Sequence, residues 1–225
     1  MKRREFTVGA GCAIGLGLNA LPAWALSETD AASGIRVALE RGAVAAVNLL
    51  GRTDGFLGNP RVRIPLPEGM EEAAKWLKRL GQQKKVDELV TAMNRAAEAA
   101  VPEARTLLVS AAKAISVDDA LKIVKGGDTS VTDYFVGKTR DPLGEKFLPI
   151  VTRATEKVKL ADRYNAVAGR AAGLGLVKAE DANLQQYVTG KALNGLFLMI
   201  GEEEKKIRAD PVKTGSAILR KVFGL

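Results

Sequence analysis

The chain has 225 residues, of which 34 are Lys or Arg and 26 are Asp or Glu, and its formal net charge is +8. It contains no histidine, and its one cysteine, Cys12, lies within a leader that we expect to be removed. The mature chain therefore lacks Cys and His nucleophiles, Ser-His-Asp triads, Cys/His zinc sites and disulfides. Aromatic residues make up only 5% of the chain, so its core must consist mainly of Ala, Leu, Val and Ile.

Residues 1–25 have the three regions of an export signal. Positive charges lie at residues 2–4, residues 7–21 carry no charge, and Ala23-Trp24-Ala25 supplies the small residues of a cleavage site. The uncharged stretch is shorter than the ~20 residues of a membrane-spanning helix, and we expect no transmembrane segment in the mature chain. The two arginines resemble a twin-arginine signal, although the general secretory route stays open. We expect cleavage after Ala25 and a periplasmic location.

The mature chain keeps a net charge of about +6, because the signal contributes +2 of the total. Outside the cytosol, the polyanions that such a chain meets are phospholipid headgroups, lipopolysaccharide and cell-wall polymers. We therefore expect an anionic envelope surface or an envelope protein as the partner, and no nucleic acid. The alternative is that the charge only maintains solubility.

Hydrophobic periodicity predicts an all-α fold, a single-domain bundle of several helices over residues 26–225. Helix boundaries follow from capping residues, glycines and prolines. The predicted helices run from Ser27 to Gly51, over Glu68–Leu80, from about Val86 through a kink or restart at Pro102 to Ile115, from Ser116 to Lys125, around Tyr164, and from about Asn183 to Ala209.

Two further helix starts are predicted at Asp141-Pro142 and Asp210-Pro211, each with an aspartate N-cap followed by proline at the first helical position. The first helix is expected to run through Phe147 and to bend or restart at Pro149. In contrast, residues 52–67 contain three prolines and predict a non-helical segment, including a short extended arm that lies on the bundle.

The most distinctive stretch is LFLMIGEEEKKIR at residues 196–208. Together with NRAAEAAVP at residues 94–102 and DGFL at residues 54–57, it makes the chain resemble the exported bacterial family known as domain of unknown function 4197. The resemblance extends over nearly the whole mature chain. It implies a periplasmic helical protein without an assigned activity, and it transfers no functional residues.

A basic segment with an aromatic side chain is the main candidate for binding an anionic surface or a partner. Trp76 is expected to pack in the core, although it could instead lie at a lipid headgroup boundary. Tyr134 and Phe135 are also expected in the core. The segment comprises Arg61, Arg63, Lys75, Trp76, Lys78, Arg79, Lys84 and Lys85.

A second candidate is the acidic cluster Glu202, Glu203 and Glu204. Glu202 with Lys206 and Glu204 with Arg208 have the i,i+4 spacing of helical ion pairs, so we expect a solvated, paired face. The alternative is a cation or partner site. We expect no metal and no cofactor.

Two short motifs raise the question of enzymatic activity. Ser110 and Lys113 match S-x-x-K, and residues 213–215 match K-T-G, both of which occur in penicillin-binding enzymes. The third motif of these enzymes, S-D-N, is missing from the sequence, so a Ser-Lys or carboxylate hydrolase is the least favoured function.

The favoured function is a non-catalytic binding or scaffold protein of the cell envelope. The first alternative is a carrier for an apolar or lipid-like ligand. Such a carrier would enclose a continuous cavity lined by residues such as Met93, Phe197 and Met199.

Overall fold

A computed structural model describes residues 28–173 and 181–210 of the chain. All regular elements in these ranges are helical, which confirms the predicted all-α fold. The α-helices are α1 (Glu28–Leu50), α2 (Glu68–Arg79), α3 (Gln83–Ala100), α4 (Ala104–Lys113), α5 (Val117–Lys125), α6 (Ser130–Thr155), α7 (Lys159–Gly173) and α8 (Leu184–Ala209).

Two helix starts follow directly from capping residues. The Ser116 hydroxyl accepts a hydrogen bond from the Asp119 N–H at 3.0 Å and caps α5, as predicted. At the start of α8, the Asn183 side chain accepts from the Gln186 N–H at 3.1 Å. Each cap satisfies one of the backbone donors that a helix N-terminus leaves unpaired.

Proline has different effects at two places in the bundle. Pro102 lies in a short 3₁₀ turn, Val101–Glu103, that connects α3 to α4. The helix start predicted at Asp141-Pro142 is wrong, because α6 continues through both Pro142 and Pro149. The carbonyl groups that these prolines leave without a helical donor belong to exposed residues, four positions earlier, where water can bind them.

Helix α8 is central to the bundle and packs against α6, α1 and α3. The core contains fully buried Phe56, Phe135 and Phe147 among aliphatic side chains. Gly195 allows Phe56 to pack directly on α8, since a Cβ atom at position 195 would lie 2.8 Å from the Phe56 ring. Of the two neighbouring aromatic residues that were expected in the core, Phe135 is buried there as predicted, whereas Tyr134 is only half-buried.

Residues 51–67 connect α1 to α2 without helical structure. Their last part, residues 61–67, lies between α3 and α8 and is called the arm below. The Ile64 N–H donates to the Asn94 side-chain oxygen at 2.8 Å, and the Asn94 amide donates to the Ile64 carbonyl at 2.9 Å. On the other side, the Tyr187 hydroxyl donates to the Pro65 carbonyl at 3.2 Å. Backbone groups that would pair within a helix are thus satisfied by buried side chains.

Two sets of predictions lie outside the described residues. The export signal of residues 1–25 falls before residue 28, and the terminal helix that Asp210-Pro211 predicts falls in residues 211–225, together with the K-T-G motif.

Candidate functional site

Helix α2 buries one side and exposes a second apolar stripe. Met70 and Ala74 are buried, whereas Trp76 is 62% exposed and Leu80, at the end of the helix, is 71% exposed. The expectation that Trp76 packs in the core is therefore wrong. Positions 70 and 74 share one face of α2, and positions 76 and 80 share a different one, which no neighbouring element covers among the described residues.

Residues 75–85 contain this exposed stripe and are called the tip. They include five cations, Lys75, Lys78, Arg79, Lys84 and Lys85, all exposed, and no acidic residue. Gly81, with φ of 72°, forms the turn that joins α2 to α3. The Arg79 guanidinium carbon lies 5.4 Å from the centroid of the Trp76 ring, a distance typical of a cation–π contact.

The other two members of the predicted basic segment lie on the arm. Arg61 forms an ion pair with Glu202 at 2.7 Å, and the hydrogen bond from Arg61 lowers the pKa of Glu202. Arg63 is exposed beside α8. The structure thus brings six of the eight predicted residues together at the tip and places Arg61 and Arg63 elsewhere.

The three glutamates of the acidic cluster have different environments. Lys206 forms its ion pair with Glu203, at 2.6 Å, and not with Glu202 as predicted. Glu204 is buried, accepts hydrogen bonds from the Val131 and Thr132 N–H groups, and forms the predicted pair with Arg208 at 2.9 Å. The expectation of a solvated face is wrong for Glu204, because its carboxylate caps the N-terminus of α6.

An open polar groove lies between the arm and α8. Its volume is about 320 Å³, and it is bounded by α8, the arm, the first turn of α2, Arg140 of α6 and Asp181. It continues into a second depression of about 230 Å³ beside Arg61 and Arg63. Neither Arg140 nor Lys191, the two cations of the groove, belongs to the predicted segment, because they are far apart in the sequence and line a common groove only in the fold.

The residues named for the carrier and enzyme hypotheses lie apart from this groove. Met93, Phe197 and Met199 are buried in the core. The apolar cavity between α1 and α8 is lined by other residues and has a volume of about 20 Å³, which is room for about one water molecule. Ser110 and Lys113 are both exposed on α4.

Two further properties concern only the part of the chain that the structure describes. No helix in residues 28–173 or 181–210 has the length and apolar character needed to cross a bilayer. No group of three or more His, Cys, Asp or Glu side chains in the same ranges is arranged to hold a metal ion.

Comparison with known proteins identifies a family but no characterised relative. No curated protein and no solved structure matches the chain. The family model described as "Protein of unknown function (DUF4197)" matches residues 25–224, nearly the whole chain. The chain therefore belongs to the DUF4197 family.

Proposed function

We propose that this chain is an exported, non-catalytic binding protein of the bacterial cell envelope that docks on an anionic lipid surface through the tip. The observation that carries the proposal is the exposure of Trp76 and Leu80, 62% and 71%, among five cations without an acidic residue. An amphipathic helix with tryptophan and leucine on one side and basic residues around them is typical of segments that lie in a membrane interface.

The composition of the tip suits both parts of the binding energy. Each Lys or Arg near an anionic membrane contributes about 1 kcal/mol, and five such residues are available at the tip. Burial of the exposed Trp76 and Leu80 side chains in the interface adds an apolar contribution of about 25 cal/mol per Å². The two contributions act at the same place because all seven residues lie within an 11-residue segment that forms one helical hairpin turn.

Export is a part of the proposal that rests on the sequence. The family match begins at residue 25, which leaves the signal-like residues 1–24 outside it. Among the described residues we find no comparable feature that favours the carrier or the enzyme hypothesis.

The test is flotation of the purified mature chain with two kinds of vesicle, phosphatidylcholine with phosphatidylglycerol and phosphatidylcholine alone. We expect binding to the anionic vesicles only, and loss of this binding as salt is raised. Lys75→Glu with Lys78→Glu should abolish binding. Trp76→Ala with Leu80→Ala should weaken it at constant charge.

The matched control is Lys138→Glu with Lys146→Glu, which makes the same charge change at two exposed positions of α6. This variant should bind nearly as well as the unmodified chain. Equal losses in the two lysine pairs would show that net charge, not the tip, causes binding. If the unmodified chain does not float with anionic vesicles, the proposal is wrong; a crosslinked acidic envelope protein would then be the partner to seek.

A further inference from the structure

The groove between the arm and α8 is lined by charged groups of both signs. Glu68 and Glu71 lie on the first turn of α2, and Asp181 lies just before α8. The cations Arg140 and Lys191 line the same groove from α6 and α8. None of these five groups forms an ion pair with another described residue, although every one of them lines a single cleft.

The two cations are held by uncharged neighbours. The Arg140 guanidinium donates to the Asn194 side-chain oxygen at 2.8 Å. The Lys191 ammonium lies 5.3 Å from the centroid of the Tyr187 ring. Both contacts orient a positive charge without neutralising it, so an anion in the groove would find two positioned donors.

The three carboxylates line the same groove as Tyr187. Burial raises the pKa of Tyr187 to about 12, and the negative charges of Asp181, Glu68 and Glu71 contribute to this increase. All three charges are therefore close enough to act on one hydroxyl group. A carboxylate without a cationic partner has oxygen atoms that can accept hydrogen bonds from an ammonium group.

The groove has the volume of a site for a small molecule. Its volume of about 320 Å³ lies at the lower end of the range for ligand pockets. Pro65 and Leu66 contribute apolar surface to the lining of the groove. Gly190 keeps the α8 wall open, because a Cβ atom there would meet nothing within 4 Å.

From this arrangement we propose that the groove binds a small zwitterion. Its primary ammonium group lies at Glu68, Glu71 and Asp181. Its phosphate or carboxylate group lies at Arg140 and Lys191. The site is separate from the tip, and the inference does not depend on lipid docking.

Isothermal titration calorimetry and amide chemical shifts, measured with two zwitterions, test this site. Phosphoethanolamine carries an ammonium and a phosphate, and glycylglycine carries an ammonium and a carboxylate. We expect saturable binding of at least one of them, with shifts at Gly190 and its neighbours, and the stronger ligand identifies the anionic group. Phosphocholine has no N–H donor, and inorganic phosphate has no ammonium group. Each should bind more weakly than the better zwitterion, by about tenfold or more.

Variants that change the groove without affecting the core make the test specific. Gly190→Leu should abolish binding because its side chain fills the groove, whereas Gly190→Ala should retain most of it. Lys191→Gln and Glu71→Gln each remove one of the two recognised charges from an exposed position, and each should weaken binding about tenfold or more. Circular dichroism and thermal unfolding show whether each variant remains folded.

The outcomes separate this inference from the proposed function. If the unmodified protein binds neither zwitterion saturably, or if folded Gly190→Leu binds as well as the unmodified protein, the zwitterion site does not exist. Lys75→Glu with Lys78→Glu should leave zwitterion binding unchanged, and Gly190→Leu should leave vesicle flotation unchanged. Loss of zwitterion binding in the tip variant would contradict the separation of the two sites.

Discussion

Glu204 is the buried member of a run of three glutamates on α8. Its carboxylate accepts hydrogen bonds from the Val131 N–H at 3.1 Å and the Thr132 N–H at 3.2 Å, both in the first turn of α6. Arg208 donates to the same carboxylate and also to the Ser130 hydroxyl at 2.7 Å. A negative charge at a helix N-terminus satisfies unpaired donors and interacts favourably with the helix dipole. Glu204 therefore joins α6 to α8.

We predict that Glu204→Ala lowers the free energy of unfolding by about 3 kcal/mol, because it removes the carboxylate that accepts from two helix N–H donors and that pairs with the half-buried Arg208 guanidinium. Glu203→Ala is the matched control on the same helix. Its pair with Lys206 is more exposed, so its loss should cost at most about 0.5 kcal/mol. Urea denaturation of both variants measures the difference. Equal losses would show that the Glu204 carboxylate does not connect the two helices.

Two glycines of α8 offer a matched test of packing. Gly190 faces open space, whereas a Cβ atom at Gly195 would lie 2.8 Å from the ring of Phe56. We predict that Gly190→Ala raises the free energy of unfolding by about 0.5 to 1 kcal/mol, because alanine has the higher helix propensity. Gly195→Ala should lower it by about 1 to 3 kcal/mol, because buried Phe56 must shift.

Thermal unfolding of the two alanine variants, measured at the same pH and salt concentration, checks this pair of predictions. The opposite signs are the important result, since the substitution and the helix are the same. Gly195→Ala in combination with Phe56→Leu should be less destabilised than the sum of the two single changes predicts. If both alanine variants are stabilised, Phe56 does not pack on α8 in this way.

At the scale of single elements, local sequence signals located most of the helices. Ser116 caps the start of α5 as predicted, and α8 begins directly after Asn183, close to the predicted start. Both starts depend on local residues, because an N-cap side chain accepts from a backbone N–H two or three residues later. The proline-rich stretch before α2 has no helical structure for an equally local reason. These signals need no knowledge of the tertiary fold.

Helix α6 shows where local signals fail. Asp141-Pro142 is a good helix start in isolation, yet Phe135, Leu143, Phe147 and Val151 are all buried on one side of a continuous helix. With buried Thr139 included, these residues are spaced by four, and this spacing continues through Pro142 and could have indicated the continuous helix. Packing of this stripe outweighs the loss of backbone hydrogen bonds that proline causes.

Helix α2 shows a second limit of sequence analysis. Its sequence contains two apolar stripes, one with Met70 and Ala74 and the other with Trp76 and Leu80. Either could face the core, and the choice depends on how α3 approaches the helix. The groove was missed for a related reason, because Arg140 and Lys191 are brought together only by the packing of α6 on α8.

The fluorescence of the tip provides a prediction for this element. The chain has two tryptophans, Trp24 and Trp76, and only Trp76 remains if the signal is cleaved after Ala25. Because Trp76 is 62% exposed, we predict red-shifted emission that acrylamide quenches readily. Anionic vesicles should shift the emission to shorter wavelength and reduce the quenching.

The same measurement on Lys75→Glu with Lys78→Glu is the control, and its emission should not change when vesicles are added. A blue-shifted emission that resists acrylamide in the free protein would mean that Trp76 is covered in solution. The exposed stripe of α2 would then be part of an interface that already has a partner, and the tip could not be the docking surface.

At the scale of the whole molecule, the tyrosines determine how the bundle responds to alkaline pH. The chain has three tyrosines, and burial raises the pKa of each of them. Tyr187 is the most affected, with a pKa raised from its ordinary value of 10.0 to about 12. Its neutral hydroxyl also donates to the Pro65 carbonyl and so connects α8 to the arm.

We predict that the protein loses stability as pH rises from about 10 towards about 12, and that Tyr187 is a principal cause. In the unfolded chain the hydroxyl ionises near its ordinary pKa, whereas the folded state holds the proton more tightly. The contribution of a raised pKa is therefore complete below pH 10 and decreases as pH passes from the unfolded to the folded pKa.

Tyr187→Phe should be less stable at pH 8 by about 1 kcal/mol, since it lacks the hydrogen bond to Pro65, but should lose less stability on going to pH 11. Urea denaturation of both proteins across this range measures the two slopes. Parallel slopes would mean that the Tyr187 hydroxyl ionises equally easily in the folded and unfolded chain, and that the arm does not enclose it.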